Sequence, residues 1–211
     1  MKSISFIFGC LLLVSYLLPW VVTPGISAMT NSAFDFAEWL SIHPLERADG
    51  LLLTPLLLRL PLACIALYLC LDAFIPRWVR ILALLLLALA QMPPPEFFRE
   101  TGGDSNYQQM AMLAAGTLVL GIGVLSLGTG RTAAYQPIIR LFRGGLVAAG
   151  LLAAVIGTSQ GIALMQSFGT GIQAGVGIFL FTGISIICLL MALRNKENRV
   201  NEMFTLPSSH L

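Results

Sequence analysis

Six apolar runs, separated by short stretches rich in charge, proline or glycine, organise the 211-residue chain. They cover roughly residues 4–22, 51–71, 78–92, 109–127, 145–166 and 172–193. A helix needs about 20 mostly apolar residues to cross the hydrocarbon of a bilayer. The predicted fold is therefore all-α: one transmembrane domain over residues 1–211 with six membrane-spanning helices, followed by a polar tail from Arg194 to Leu211. The third run is the shortest and stops at Pro93-Pro94-Pro95, where no helix continues.

Between the first two runs the pattern changes period. Ala33, Phe36, Ala37 and Leu40 fall on one face of a helix over about residues 32–42. Ser32 stands where an N-cap would, with Asp35 three residues on, a variant of the capping box. This amphipathic helix is expected to lie along the outer membrane surface with its apolar face down. The alternative is a docking helix that presents Phe36, Trp39 and Leu40 to a partner. Its acidic polar face argues against attraction to anionic headgroups, since helices that bind them are normally basic.

Composition agrees with the membrane reading: 57% of residues are apolar and 10% charged, against about a quarter charged in soluble domains. Lysine and arginine accumulate in cytoplasmic loops. With the N-terminus inside, Lys2, Arg77, Arg80, Arg131, Arg140, Arg143, Arg194, Lys196 and Arg199 lie inside, and only Arg47 and Arg99 outside. Both termini are therefore expected in the cytoplasm, with the chain in the plasma (inner) membrane. Trp20 and Trp78 sit at span ends, where an amphipathic ring favours the interface. A net charge of +2 gives no reason to expect a nucleic-acid partner.

The remaining cation, Arg59, falls inside the second span. It lies nine positions after Gly50, about 13 Å along a helix. Burying it there costs roughly 2.5–3.5 kcal/mol on insertion scales, and no Asp or Glu lies within any of the six runs. The side chain either snorkels back to the outer interface or finds a partner. Candidate partners are the carbonyls of Leu51 and Leu57 freed by Pro55 and Pro61, a carboxylate of a neighbouring subunit, and the anionic headgroup or quinone-like carbonyl of a ligand.

Two further patterns stand out. Fifteen of the twenty glycines lie between Gly116 and Gly183, and Gly145, Ala149, Ala153, Gly157 and Gly161 recur every fourth residue along the fifth span. Small residues let helix backbones approach closely, so this stripe is expected to pack the fifth span against the fourth or sixth, the alternative being an interface with another subunit. Thr158, Ser159 and Gln160 place polar groups in the outer half of the same span, as interhelical glue or as a small polar pocket.

The chemistry that is missing narrows the function. Both histidines, His43 and His210, lie outside the runs, which argues against a haem held between membrane histidines. Cys10, Cys64, Cys70 and Cys188 are scattered through the runs without metal-ligand spacing. Ser126-Leu-Gly-Thr-Gly-Arg-Thr lacks the ending of a phosphate loop. The outer acids Asp35, Glu38, Glu46 and Asp49 offer only Asp35 and Glu38 a shared helical side for a metal. The expected function is non-catalytic: an accessory or assembly subunit of a larger membrane complex, extended to a quinone-linked electron-transport complex. It would have no cofactor of its own, contacting lipid or quinone and other membrane subunits. The alternative is a small transporter or channel subunit working as a homo-oligomer, with Arg59, Thr158 and Gln160 lining its cavity.

Overall fold

The computed structural model describes residues 4–23, 29–49, 52–72, 74–98, 103–126, 136–167 and 171–204. Lys2, Arg99, Arg131, His210, residues 127–132 of the sequence compared above with a phosphate loop, and the side chains of Arg194, Lys196 and Arg199 lie outside the described residues. In chain order the elements are α1 (Ile4–Leu17), β1 (Val21–Thr23), β2 (Met29–Asn31), α2 (Ala33–Ser41), α3 (Pro44–Asp49), α4 (Leu53–Cys70), α5 (Arg77–Leu89), a 3-10 turn (Pro95–Phe98), α6 (Ser105–Ser126), α7 (Gln136–Gln166), β3 (Gln173–Ala174) and α8 (Val176–Phe204). Of these, α4, α6, α7 and α8 are long and apolar enough to cross a membrane, and α1 is a shorter apolar helix.

The departures from the expected spans have local causes. The first helix ends at Leu17 rather than near residue 22. Pro19 lacks an amide donor and disfavours helix in the residue before it, and Val21–Thr23 then pair as a strand. The fifth span begins at Gln136, earlier than expected, because Pro137 sits in the first turn, where a missing N–H costs nothing. The sixth begins at Val176 because Gln173 and Ala174 join the sheet, and its helix runs on to Phe204, through the first part of the expected tail.

The hub is α4. Buried residues make up 72% of its membrane-length window, against 33%, 28% and 28% for α6, α7 and α8. It packs most extensively on α7 and also touches α1, α2, α5 and α6. Gly150 and Gly157 of α7 make that approach possible: a β-carbon on Gly157 would stand 3.0 Å from the Leu57 Cβ, and one on Gly150 3.4 Å from the Cys64 Cβ. The small-residue face of α7 therefore packs on the second span, not on the fourth or sixth through the stripe as expected.

One end of the bundle gathers the connections that follow α1, α5 and α7. A three-stranded antiparallel sheet of order β2-β1-β3 joins two of them, pairing Val21 with Asn31 and with Ala174. Arg47 of α3 meets Asp104, which precedes α6, at 3.3 Å. Trp20, expected at the membrane surface, is instead buried beneath this sheet. Its Nε1 donates to the Ser15 carbonyl at 2.9 Å, and its ring lies 5.4 Å from that of Phe181. The opposite end gathers the start of α1, the α4–α5 connection and the start of α7. There Arg143 donates to the Leu71 carbonyl at 2.6 Å and to Ser5 Oγ at 3.3 Å, while Arg80 donates to the Cys70 carbonyl at 3.2 Å. The two arginines thus satisfy carbonyls left open at the C-terminal end of α4.

Candidate functional site

Arg59 decides how the end of the bundle that carries the sheet is built. Its side chain is fully buried and does not snorkel. The anion it meets belongs to its own chain: Nη2 donates to Glu38 Oε1 at 2.5 Å. Freed backbone carbonyls, another subunit or a ligand are the candidate partners expected from the sequence, but not this carboxylate; of the two candidate carbonyls, that of Leu51 lies outside the described residues. Glu38 lies on α2, whose apolar face is not left for lipid as expected. Its apolar face, Ala33, Phe36, Ala37 and Leu40, is buried against α4 and α7. Gly161 opens the space: a β-carbon there would stand 2.6 Å from Phe36 Cε1 and 2.7 Å from Leu40 Cδ1. The capping box forms as the sequence predicts, with Ser32 and Asp35 each accepting the other's backbone N–H at 3.3 Å.

Two amides from the first turns of α6 complete the cluster. Gln109 Oε1 accepts from Arg59 Nη1 at 3.2 Å, and Gln109 Nε2 donates to the Leu52 carbonyl at 3.0 Å. Asn106 Nδ2 donates to Glu38 Oε2 at 3.3 Å. Leu52 caps the start of α4 in the left-handed region, at φ 44° and ψ 48°. That conformation costs a non-glycine residue roughly 1–2 kcal/mol, so the Gln109 bond holds the strained turn in place. Phe34 adds its ring 5.8 Å from Arg59 Cζ, within the range of a cation–π contact. The arginine is enclosed, while the Glu38 side chain keeps 37% exposure. The cluster ties α2, α4 and α6 together around a charge that burial would otherwise leave unpaired.

The neighbouring acids are each spent separately. Asp35 caps α2, Glu46 of α3 accepts from Thr54 Oγ1 of α4, and Asp104 pairs with Arg47. The side chain of Asp49 lies outside the described residues. No group of three or more His, Cys, Asp or Glu that could hold a metal occurs among the described residues.

The other sequence candidates separate in space. Phe36 and Leu40 are wholly buried in the chain's own core, which leaves neither on a free face of α2, and Trp39 is half-buried against it. Of the α7 stripe, Ala153, Gly157 and Gly161 are buried, whereas Gly145 and Ala149 face outward. Thr158 is buried, but Ser159 and Gln160 are exposed, and Ser159 Oγ only returns to the Ile156 carbonyl at 2.9 Å. The three form no shared pocket, because successive helical residues point about 100° apart.

Gln109 and Asn106 are site residues that the sequence reading missed, and Glu38 was weighed there only as a metal ligand, not as the partner of Arg59. A signal was present. Asn106 and Gln109 are three residues apart, on one helical face at the start of an apolar run, and Glu38 stands on the polar side of α2. No protein-family model, curated protein or solved structure matches this chain.

Proposed function

We propose that the chain is a non-catalytic membrane subunit that assembles with other membrane helices through glycine-bearing outward faces of α6, α7 and α8. The observation that carries this reading is where the unspent glycines sit. Gly116 and Gly123 on α6, Gly145 on α7 and Gly183 on α8 have no atom within 4 Å of the place a β-carbon would take. Inside the fold, glycine is used to bring α4 and α7 together. On an outward face it gives the chain itself nothing, and each costs about 1 kcal/mol of helix propensity against alanine. A partner backbone seated on these faces supplies the compensating contact. Gly145 and Ala149 continue the stripe beyond its buried half and form one such face.

The membrane placement proposed with it is six crossings, both termini in the cytoplasm, in the plasma membrane. The excess of lysine and arginine on one side supports it, as does the gathering of alternate connections at opposite ends of the bundle. Arg59 takes no part in the partner contact, since Glu38 and Gln109 occupy it.

Gly145→Leu tests the reading. The expected outcome in mild detergent is a shift from a larger assembly to the single chain. The association constant should fall about tenfold or more, roughly 1.4 kcal/mol, with the unfolding midpoint unchanged. Native gels and mass spectrometry of co-purifying chains read the result. A monodisperse monomer from native membranes, or a purely self-associated oligomer, would overturn it.

A further inference from the structure

At the end opposite the Arg59 cluster, α1, α7 and α8 part to leave a cavity of about 170 Å³. Its polar wall is Ser5, Arg140 and Arg143, and its apolar wall includes Phe8, Val147 and Met191. Both arginines lie on one face of α7, three residues apart, and Gly144 beside them leaves the space unfilled. Arg143 is anchored by the Leu71 carbonyl and stands 3.6 Å from Asp72, which is 1% exposed. Its guanidinium is stacked 5.7 Å from the Tyr68 ring. Arg140 has no carboxylate partner among the described residues. Two arginines and one aspartate leave this crevice a single positive charge.

Its depth is set by the helix that carries it. From Arg143 to Gln166, α7 runs about 35 Å at 1.5 Å per residue, slightly more than the roughly 30 Å of bilayer hydrocarbon. With Gln166 at one surface, Arg140 and Arg143 stand at headgroup level on the other. Trp78, highly exposed at the start of α5 on the same end, suits that level.

We propose that this crevice binds an anionic membrane phospholipid, with the phosphodiester between Arg140 and Arg143 and one acyl chain along Phe8, Val147 and Met191. Arginine pairs suit phosphate oxygens through forked, charge-assisted hydrogen bonds, and basic pockets between membrane helices on the cytoplasmic side take such headgroups. The single net positive charge favours a phosphate not already balanced by an ammonium on the same headgroup. Free phosphate shares the oxyanion chemistry but would leave the apolar wall unused. The inference needs only that this end reach a leaflet surface, and is independent of assembly through the glycine faces.

The test is native mass spectrometry and titration of the full chain in mild detergent. The probes are dioleoyl phosphatidylglycerol, dioleoyl phosphatidylcholine and inorganic phosphate. One phosphatidylglycerol should be retained, with phosphatidylcholine at least about fivefold weaker, and Arg140→Gln should erase most of that preference, about fivefold or more. Ala192→Asp, which sets a carboxylate at the cavity wall, should do the same without involving either arginine. Equal binding of the two lipids, unchanged binding by both variants, or phosphate binding as tightly as the lipid would overturn the proposal.

Discussion

Glu38→Gln will lower the midpoint of thermal unfolding more than any other single change in the Arg59 cluster. The substitution keeps the shape of the side chain and removes only its charge, leaving Arg59 fully buried with an amide in place of its anion. Breaking one half of a buried ion pair costs about 3–5 kcal/mol. The lower end applies here, since Glu38 retains 37% exposure. At about 2–4 °C per kcal/mol for a chain of this size, the expected fall is roughly 6–12 °C. The pair itself is not needed for a stable fold. Replacing both partners, Glu38→Leu with Arg59→Met, should recover most of the loss, because apolar residues of similar volume substitute for buried ion pairs at little cost. A double-mutant cycle by thermal unfolding in detergent measures the coupling. A midpoint for Glu38→Gln within a degree of the wild type would mean that Arg59 draws its compensation from elsewhere.

The same residues mark where the sequence is legible and where it stops being so. Apolar periodicity and the Ser32–Asp35 cap identify α2 and its buried face correctly, because both signals are local. Periodicity says which face is hidden but not what hides it, and lipid and protein are equally apolar. The face that was expected on the bilayer is therefore found against α4 and Gly161. Arg59 stood out from depth arithmetic alone. Its partner did not, because the connections were treated as lying outside the membrane, whereas α2 folds back onto α4 and carries a carboxylate with it. The α7 stripe failed for a geometric reason. A four-residue step overshoots a full turn by about 40°, so from Gly161 back to Gly145 the stripe swings roughly 160° around the helix. Its Gly157 and Gly161 end meets α4 and α2, and its Gly145 and Ala149 end turns outward. Strands of two or three residues, such as β1 and β3, are too short for any pattern to announce, yet they fix Trp20 and the junction of α1 with α8.

That junction carries the second large effect, expected for Gly177→Ala. A β-carbon at position 177 would stand 2.5 Å from Trp20 Cδ1, 2.7 Å from the Leu18 carbonyl oxygen and 2.8 Å from that of Pro19. Two of these neighbours are backbone and cannot rotate away. The approach is close because the end of one helix completes the start of another. Pro19 stops α1 and leaves carbonyls without helical donors, while the first amides of α8 lack helical acceptors. Gly177 N–H donates to the Pro19 carbonyl at 2.7 Å, and Gly175 N–H to the Trp20 carbonyl at 2.7 Å. Forcing the backbones apart adds overpacking, typically 1–3 kcal/mol, to weakened buried hydrogen bonds at about 1 kcal/mol each. A loss of about 3 kcal/mol is expected, with a fall in unfolding midpoint of roughly 6–12 °C. Gly183→Ala on the same helix is the control, measured on the single chain in detergent. Its β-carbon meets nothing of this chain within 4 Å, so without a partner alanine there should be neutral or stabilising by up to about 1 kcal/mol through helix propensity. Equal effects at the two positions would show that glycine matters along α8 for some reason other than its docking on Leu18–Trp20. An unperturbed Gly177→Ala would remove the junction itself, and with it the account of why α1 ends where it does.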